Sequence, residues 1–102
     1  MKFIDIFGDA GQVKLLQFML KTRGSLMNLS EVARRTSLAN STVGRLIDNF
    51  IRLGVVGEIK VGNLMRVIYL VENHPLTKLL LEFQSKIEGL NTEKNKTGEA
   101  KL

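Results

Sequence analysis

Hydrophobic and polar residues follow a helical period in four stretches of the chain. The clearest stretch begins near Ser41, and its apolar residues have the spacing i, i+3, i+4, i+7, i+8: Val43, Leu46, Ile47, Phe50 and Ile51. That spacing places the apolar side chains on one face of a helix. Asn40 or Ser41 is suited to cap its start, and Gly54 is suited to end it after about Leu53. The pattern predicts an amphipathic helix with a polar outer face.

Three further patterns predict helices before and after this one. From Val13 to Leu20 apolar residues cover more than one face, and Gly24 lies beyond the end. A brief helix from Glu31 to about Thr36 follows, with Ser30 as its cap. The last helix opens at Pro75, since proline is favoured in a first turn. Its apolar stripe has six members: Leu76, Leu79, Leu80, Phe83, Ile87 and Leu90.

Two runs rich in β-branched residues lie between the third and the last predicted helix. They span 55–61 and 64–71 and are separated by Gly62-Asn63. A two-residue linker of this chemistry is typical of a tight hairpin turn. The segment 91–102 is polar and aperiodic, so we expect a disordered tail there. The sequence therefore predicts a mainly α protein with one β-hairpin (α+β), folded as one domain over residues 1–90.

Composition and charge narrow the range of functions. The chain has 102 residues, 44% of them hydrophobic, and no cysteine, which excludes disulfides and cysteine-based zinc sites. No apolar run is long enough to span a bilayer, and the acid at position 5 is atypical of a signal peptide. The net charge is +5, and the region from Lys21 to Arg66 accounts for all of it, with eight cations and three acids. Positive charge that is confined to one part of the chain favours a polyanion partner.

The order of the predicted elements is that of a winged helix-turn-helix: helix, link, helix, turn, helix, hairpin, helix. Over residues 29–47 (LSEVARRTSLANSTVGRLI) and through 53–56, the chain resembles winged-helix transcription regulators, most of all the arsenic-repressor-like (ArsR) group and small archaeal relatives. Residues 6–8 and 73–76 also resemble the archaeal group. One difference is Gly44, where many relatives carry serine. The resemblance implies a DNA-binding regulator whose terminal helices pair across a two-fold axis.

The outer face of the third predicted helix offers side chains that can read bases. In a helix-turn-helix, the first residues of the recognition helix contact base edges in the major groove. Those positions hold Asn40, Ser41, Thr42 and Arg45, and Asn49 follows one turn later. Arg45 can form a bidentate pair with guanine. The alternative is that Ser41 and Thr42 only cap the helix and that Arg45 is solvated.

Other residues of the basic region are candidates for contacts with the DNA backbone. Arg34 and Arg35 on the short second helix are adjacent and cannot point the same way, so we expect one phosphate contact from them. Arg52 lies near the end of the recognition helix. As a wing along the backbone or in a minor groove, the hairpin would act through Lys60, Asn63 and Arg66. The alternative is a plain exposed hairpin whose cations discourage aggregation.

The first and last helices predict a homodimer interface. A domain of this size buries limited surface alone, which favours a partner for these apolar helices. The candidate interface residues are Leu15, Phe18, Met19, Leu76, Leu79, Leu80, Phe83 and Ile87. The alternative is that both helices complete the core of a monomer.

The sequence predicts no enzyme, no cofactor and no metal site. His74 is the only histidine and precedes a proline, so a cap or loop role is favoured over that of a ligand or a catalytic base. Gly8 and Gly11 lack the other residues of a phosphate-binding loop. The sequence identifies no small-molecule effector.

These observations predict a sequence-specific regulator that binds double-stranded DNA. We expect a cytoplasmic, nucleoid-associated homodimer that represses transcription from a palindromic site and makes no contact with a membrane. Two alternatives stay open. One is a partition or chromatin-like factor that spreads along DNA, and the other is a winged-helix adaptor that binds an acidic protein.

Overall fold

Five helices and a three-stranded sheet make up the described part of the chain. The structure is a computed structural model that describes residues 1–90, and the predicted tail at 91–102 lies outside the described residues. In chain order the elements are α1 (Phe3–Phe7), α2 (Gly11–Lys21), β1 (Met27–Asn28), α3 (Leu29–Thr36), α4 (Asn40–Arg52), β2 (Val56–Val61), β3 (Met65–Leu70) and α5 (Pro75–Glu88). The predicted α+β architecture is confirmed, and α1 and β1 are additions to it.

Strand β3 lies at the centre of an antiparallel sheet with the order β1-β3-β2. Strands β2 and β3 form the predicted hairpin, and Val61 pairs with Met65 at its end. The turn therefore has three residues instead of the predicted two, because Leu64 lies outside the strand pairing. Gly62 in this turn has a φ of +65°, which a residue without a Cβ adopts without strain. Strand β1 has two residues, too few to produce an alternating pattern in the sequence.

The helix α3 begins at Leu29, two residues earlier than the sequence predicts. Its cap is Asn28 and not Ser30, because the Asn28 side-chain oxygen accepts a 2.8 Å hydrogen bond from the Glu31 backbone amide. Asparagine and serine are equally good caps, and the end of β1 at Asn28 decides between them. Ser37 ends α3 with a φ of 61°, and this left-handed residue turns the chain tightly towards α4.

The helix α4 packs its apolar stripe against the core, as predicted, with these residues buried or half-buried: Val43, Leu46, Ile47, Phe50 and Ile51. No side chain caps its start, so Asn40 and Ser41 do not have the capping role that we predicted. Gly54 follows the helix with a φ of +88°. A Cβ at Gly54 would lie 2.4 Å from Nε2 of His74. His74 caps α5, because its Nδ1 accepts a hydrogen bond from the Leu76 backbone amide.

The core lies between the helices and the inner face of the sheet. Its largest fully buried side chains include Phe3, Leu15, Met19, Leu20, Ile47 and Ile68. This corrects part of the predicted dimer interface, since Leu15, Met19 and Ile87 are buried in the chain's own core and cannot contact a partner at the surface. Within residues 1–90, no helix has the length and apolar composition needed to cross a membrane.

Candidate nucleic-acid interface

The outer face of α4 presents polar side chains to solvent because the opposite face packs against the core. Asn40, Ser41 and Arg45 are exposed, and Thr42 and Asn49 are half-buried. All five lie within the first three turns of the helix. Ser41, Arg45 and Asn49 are spaced four residues apart and so form one stripe. The structure thus brings the predicted base-reading residues together on one surface.

Two arginines of α4 carry charge that no carboxylate neutralises. Among the described residues, Arg45 has no ion-pair partner, and Arg52 donates a hydrogen bond to the amide oxygen of Asn49. The first backbone amides of α4 have no acceptor within the helix, and no side chain covers them. Such amides and the helix dipole favour an anion near Asn40. The start and the outer face of α4 therefore suit a polyanion.

The adjacent arginines of α3 point in different directions, as expected. Arg34 is exposed and forms a 2.7 Å ion pair with Glu31. Their hydrogen bond raises the pKa of Arg34 and lowers the pKa of Glu31. Arg35 turns towards α2, where its guanidinium carbon lies 5.2 Å from the ring centroid of Phe18, and it donates a hydrogen bond to the sulfur of Met27. Both arginines are exposed, but Glu31 offsets the charge of Arg34, whereas Arg35 has no carboxylate partner among the described residues.

Arg66 is engaged within the protein, which changes its predicted role in the wing. Its guanidinium forms ion pairs with Glu58 on β2 and, at 2.6 Å, with Asp48 on α4. The hydrogen bonds that Arg66 donates to Glu58 and Asp48 raise its pKa above the ordinary value. The side chain is only 28% exposed. Because two carboxylates offset its charge, Arg66 joins the hairpin to the recognition helix and is not a free cation for phosphate.

Ion pairs also offset the charge of two cations at the edge of the basic region. Lys21 pairs with Glu88 and Arg23 with Glu72, each at 3.5 Å, and both acids lie outside the range 21–66. The positive charge is therefore more concentrated than the sequence indicates. Within residues 1–90, the cations of this region that lack a carboxylate partner are Arg35, Arg45, Arg52 and Lys60.

The tip of the hairpin is apolar and exposed. Lys60 and Asn63 are exposed, as a wing requires. Leu64, the last residue of the turn before β3, is 96% exposed. Its neighbours Val61 and Met65 are about half exposed. Val61, Leu64 and Met65 were not among the predicted contacts of the wing. The signal that could have identified them is the five-residue hairpin tip, 61–65, which has no charged side chain.

The remaining residues of the predicted dimer interface differ in exposure. Leu79 and Phe83 on α5 are exposed, with 64% and 39% of their surface accessible. Leu76, Leu80 and Phe18 are half-buried and pack against the core. Only the two exposed residues therefore offer a large apolar surface to a partner.

The short helix α1 adds aromatic surface beside α5. The rings of Phe3, Phe7 and Phe83 form a cluster with centroids 5.5 to 6.2 Å apart, next to a cavity of about 370 Å³. Phe3 is buried, while Phe7 and Ile6 are exposed. We refer to the exposed residues Ile6, Phe7, Leu79 and Phe83 as the terminal-helix face. Five residues were too few for the sequence to reveal α1 as a helix.

Among residues 1–90, no three histidine, cysteine, aspartate or glutamate side chains are grouped so that they could hold a metal ion. A protein-family model matches part of the chain in sequence. The model of the IclR helix-turn-helix domain matches residues 13–58, slightly less than half of the chain. No curated protein matches the chain in sequence.

Solved structures with a similar fold include two of the protein MepR. One is MepR, a transcription regulator of the Staphylococcus aureus multidrug efflux pump MepA, with 18% identity and a TM-score of 0.57 over 89% of this chain and 72% of MepR. The other is the complex of S. aureus MepR with DNA, with 18% identity and a TM-score of 0.58 over 96% of this chain and 78% of MepR.

The domain model and the similar structures are those of transcription regulators, which agrees with the prediction that this chain is not an enzyme. The resemblance to the ArsR group and to archaeal relatives stays a prediction. Strand β1 precedes the helix-turn-helix α3–α4, strands β2 and β3 follow it, and the whole matches solved winged-helix regulators. The chain therefore has the predicted winged helix-turn-helix fold.

Proposed function

We propose that this protein is a transcription regulator that binds double-stranded DNA in a sequence-specific manner. The observation that carries the proposal is the uncapped start of α4, where Asn40, Ser41 and Arg45 are exposed on a helix that packs firmly against the core. In winged helix-turn-helix proteins, this helix enters the major groove. The structure of MepR in complex with DNA supports a DNA partner for a chain of this fold.

The side chains divide into those that read bases and those that hold the backbone. Arg45 donates two hydrogen bonds to O6 and N7 of a guanine. Asn40 and Ser41 contact neighbouring base edges or phosphates. Arg52 and Lys60 bind phosphates, since they are exposed and have no carboxylate partner among the described residues. This division separates sequence preference, which depends on Arg45, from overall affinity.

The terminal-helix face joins two copies of the chain. Exposed aromatic and aliphatic side chains on α1 and α5 form an apolar surface of the kind that interfaces bury. A two-fold axis at this face places two recognition helices in successive major grooves, about 34 Å apart on a palindromic site. The bound dimer represses transcription by blocking access to the promoter. It acts at the nucleoid in the cytoplasm and requires no metal or cofactor.

The experiment begins with selection of bound sequences from random duplex DNA. Mobility shifts then compare the wild type with Arg45→Ala on the selected duplex and on duplexes changed at single positions. Arg45→Ala costs about 1–3 kcal/mol on the selected duplex and relaxes the preference at one base pair. The matched control is Arg23→Ala, because Arg23 lies outside α3, α4 and the hairpin and is paired with Glu72.

Three results would contradict parts of this proposal. Equal losses on selected and random DNA for Arg45→Ala remove that residue from base reading. A footprint that grows beyond one palindrome with protein concentration identifies a factor that spreads along DNA. Absence of duplex binding at moderate salt, together with binding of an acidic protein, identifies an adaptor.

A further inference from the structure

The hairpin tip carries a contiguous apolar surface that the proposed base and phosphate contacts do not use. Leu64 is almost fully exposed, and Val61, Met65 and Ile59 are each about half exposed. Single exposed apolar side chains are normal on a protein surface, but several that adjoin one another usually mark a binding surface. Four such residues at one end of a hairpin therefore indicate a binding surface.

The register of the hairpin separates this apolar tip from the charged part of the wing. Lys60 pairs directly with Arg66, so their side chains share one face of the sheet. Val61 and Met65 are the next pair and lie on the opposite face. The ion pairs of Arg66 with Glu58 and Asp48 draw its side chain towards α4. As a result, Leu64 projects beyond the last cations, at the end of the hairpin.

The tip faces the same groove as the start of the recognition helix. A groove of about 410 Å³ is lined by residues of the wing tip, of α3 and of α4: Asn28, Leu29, Ser30, Asn40, Leu64, Met65 and Arg66. Leu64 is therefore on the side of the molecule that meets DNA, if α4 binds in the major groove as proposed above. Lys60 is the exposed cation of the hairpin that lies nearest to Leu64. It is suited to bind the phosphates on either side of the DNA groove that Leu64 faces.

We propose that Leu64 is a wedge that enters the minor groove, inserts between two stacked base pairs and kinks the duplex. This inference rests on the proposed function. Leucine and methionine are among the side chains that bend DNA in this way, by partial unstacking of a base step. A charged tip would remain at the phosphates. An uncharged apolar tip is stabilised when it leaves the water and inserts between the bases. The wedge adds sequence preference without a hydrogen bond, because pyrimidine–purine steps unstack more easily than others.

The test measures DNA bending by fluorescence energy transfer between the ends of the selected duplex, with 2-aminopurine at the step that faces the wing. The wild type bends the duplex by about 20–90° and raises the 2-aminopurine fluorescence, as expected for a wedge. Leu64→Ala still binds but loses the bend, the fluorescence increase and the preference for a pyrimidine–purine step. Leu64→Phe retains all three. Leu26→Ala is the matched control, since Leu26 is also exposed but lies outside the hairpin.

The outcomes separate this inference from the proposed function. Binding with an unbent duplex, or a bend that is unchanged in Leu64→Ala, overturns the wedge and leaves DNA binding intact. Loss of self-association in Leu64→Ala with the bend retained assigns the tip to a protein contact and also overturns the wedge. Absence of wild-type binding to any duplex overturns the proposed function itself. Thermal melting of each variant confirms that a substitution at this exposed position leaves the fold intact.

Discussion

The substitution Gly54→Ala tests how the end of the recognition helix is built. Gly54 has a φ of +88°, and a Cβ would lie 2.4 Å from Nε2 and 2.7 Å from Cδ2 of His74. Real Cβ contacts are essentially never shorter than 3.0 Å. The imidazole cannot simply rotate away, because its Nδ1 accepts the hydrogen bond from Leu76 that caps α5. The substitution therefore has two separate free-energy costs that add: one for the backbone conformation at position 54 and one for the contact with His74.

The magnitude follows from these two terms. A left-handed backbone costs a residue with a Cβ about 1–2 kcal/mol, and loss of the α5 cap costs about 1 kcal/mol more. Gly54→Ala therefore destabilises the protein by about 2–3 kcal/mol, which lowers the Tm by roughly 10–20 °C for a domain of this size. Urea denaturation followed by far-UV circular dichroism measures the change in the free energy of unfolding.

Two further variants isolate the terms. In a His74→Ala background the contact is absent, so Gly54→Ala costs only the backbone term of about 1–2 kcal/mol. Gly44→Ala is the control, since Gly44 lies inside α4 and an added Cβ meets no atom within 4 Å. It stabilises the protein by about 1 kcal/mol. Equal costs for Gly54→Ala with and without His74 would refute the contact, and a stabilising Gly54→Ala would refute the whole argument.

Three other predictions concern charge and assembly. Lys60→Ala flattens the slope of log K against log salt for DNA binding by about one unit, whereas Arg66→Ala does not, because two carboxylates already offset that charge; equal flattening would contradict the ion-pair network. Leu79→Glu converts the proposed dimer to a monomer in sedimentation velocity with unchanged circular dichroism, and a persistent dimer would place the interface elsewhere. Because the hydrogen bond from Arg34 lowers the pKa of Glu31, ionised Glu31 stabilises the fold above its ordinary pKa, and this contribution is lost as the pH falls through the lowered value. Glu31→Gln thus lowers the Tm at neutral pH but not in strong acid, and a Tm difference that is independent of pH would contradict this.

Local patterns predicted most of the elements because their physical cause is local. The stripe of α4 from Val43 to Ile51 has a single helical period, and its burial agrees with the prediction. The hairpin was equally clear, although the turn at its tip is one residue longer than predicted. Strand β1 and the cap at Asn28 were missed because the pairing of Met27 with Ile68, far along the chain, fixes where α3 begins.

The candidate site depends more on contacts between elements. The register of the hairpin, once known, brings Glu58 and Arg66 to one face, but the pairing of Arg66 with Asp48 joins α4 to β3 and has no signature in the sequence. A helical stripe also does not distinguish the chain's own core from an interface. For that reason Leu15 and Met19, which are buried, were predicted together with Leu79, which is exposed.

The most direct test of the account is an NMR titration of the isotope-labelled protein with duplex DNA. The backbone amide chemical shift of each residue is measured as DNA is added. The proposed function places the largest changes at residues 40–45 of α4 and at 60–64 of the hairpin, with the terminal-helix face unchanged. Changes that saturate on the first two regions with the selected duplex would support the proposed interface. No change on addition of DNA, or changes confined to Ile6, Phe7, Leu79 and Phe83, would contradict it.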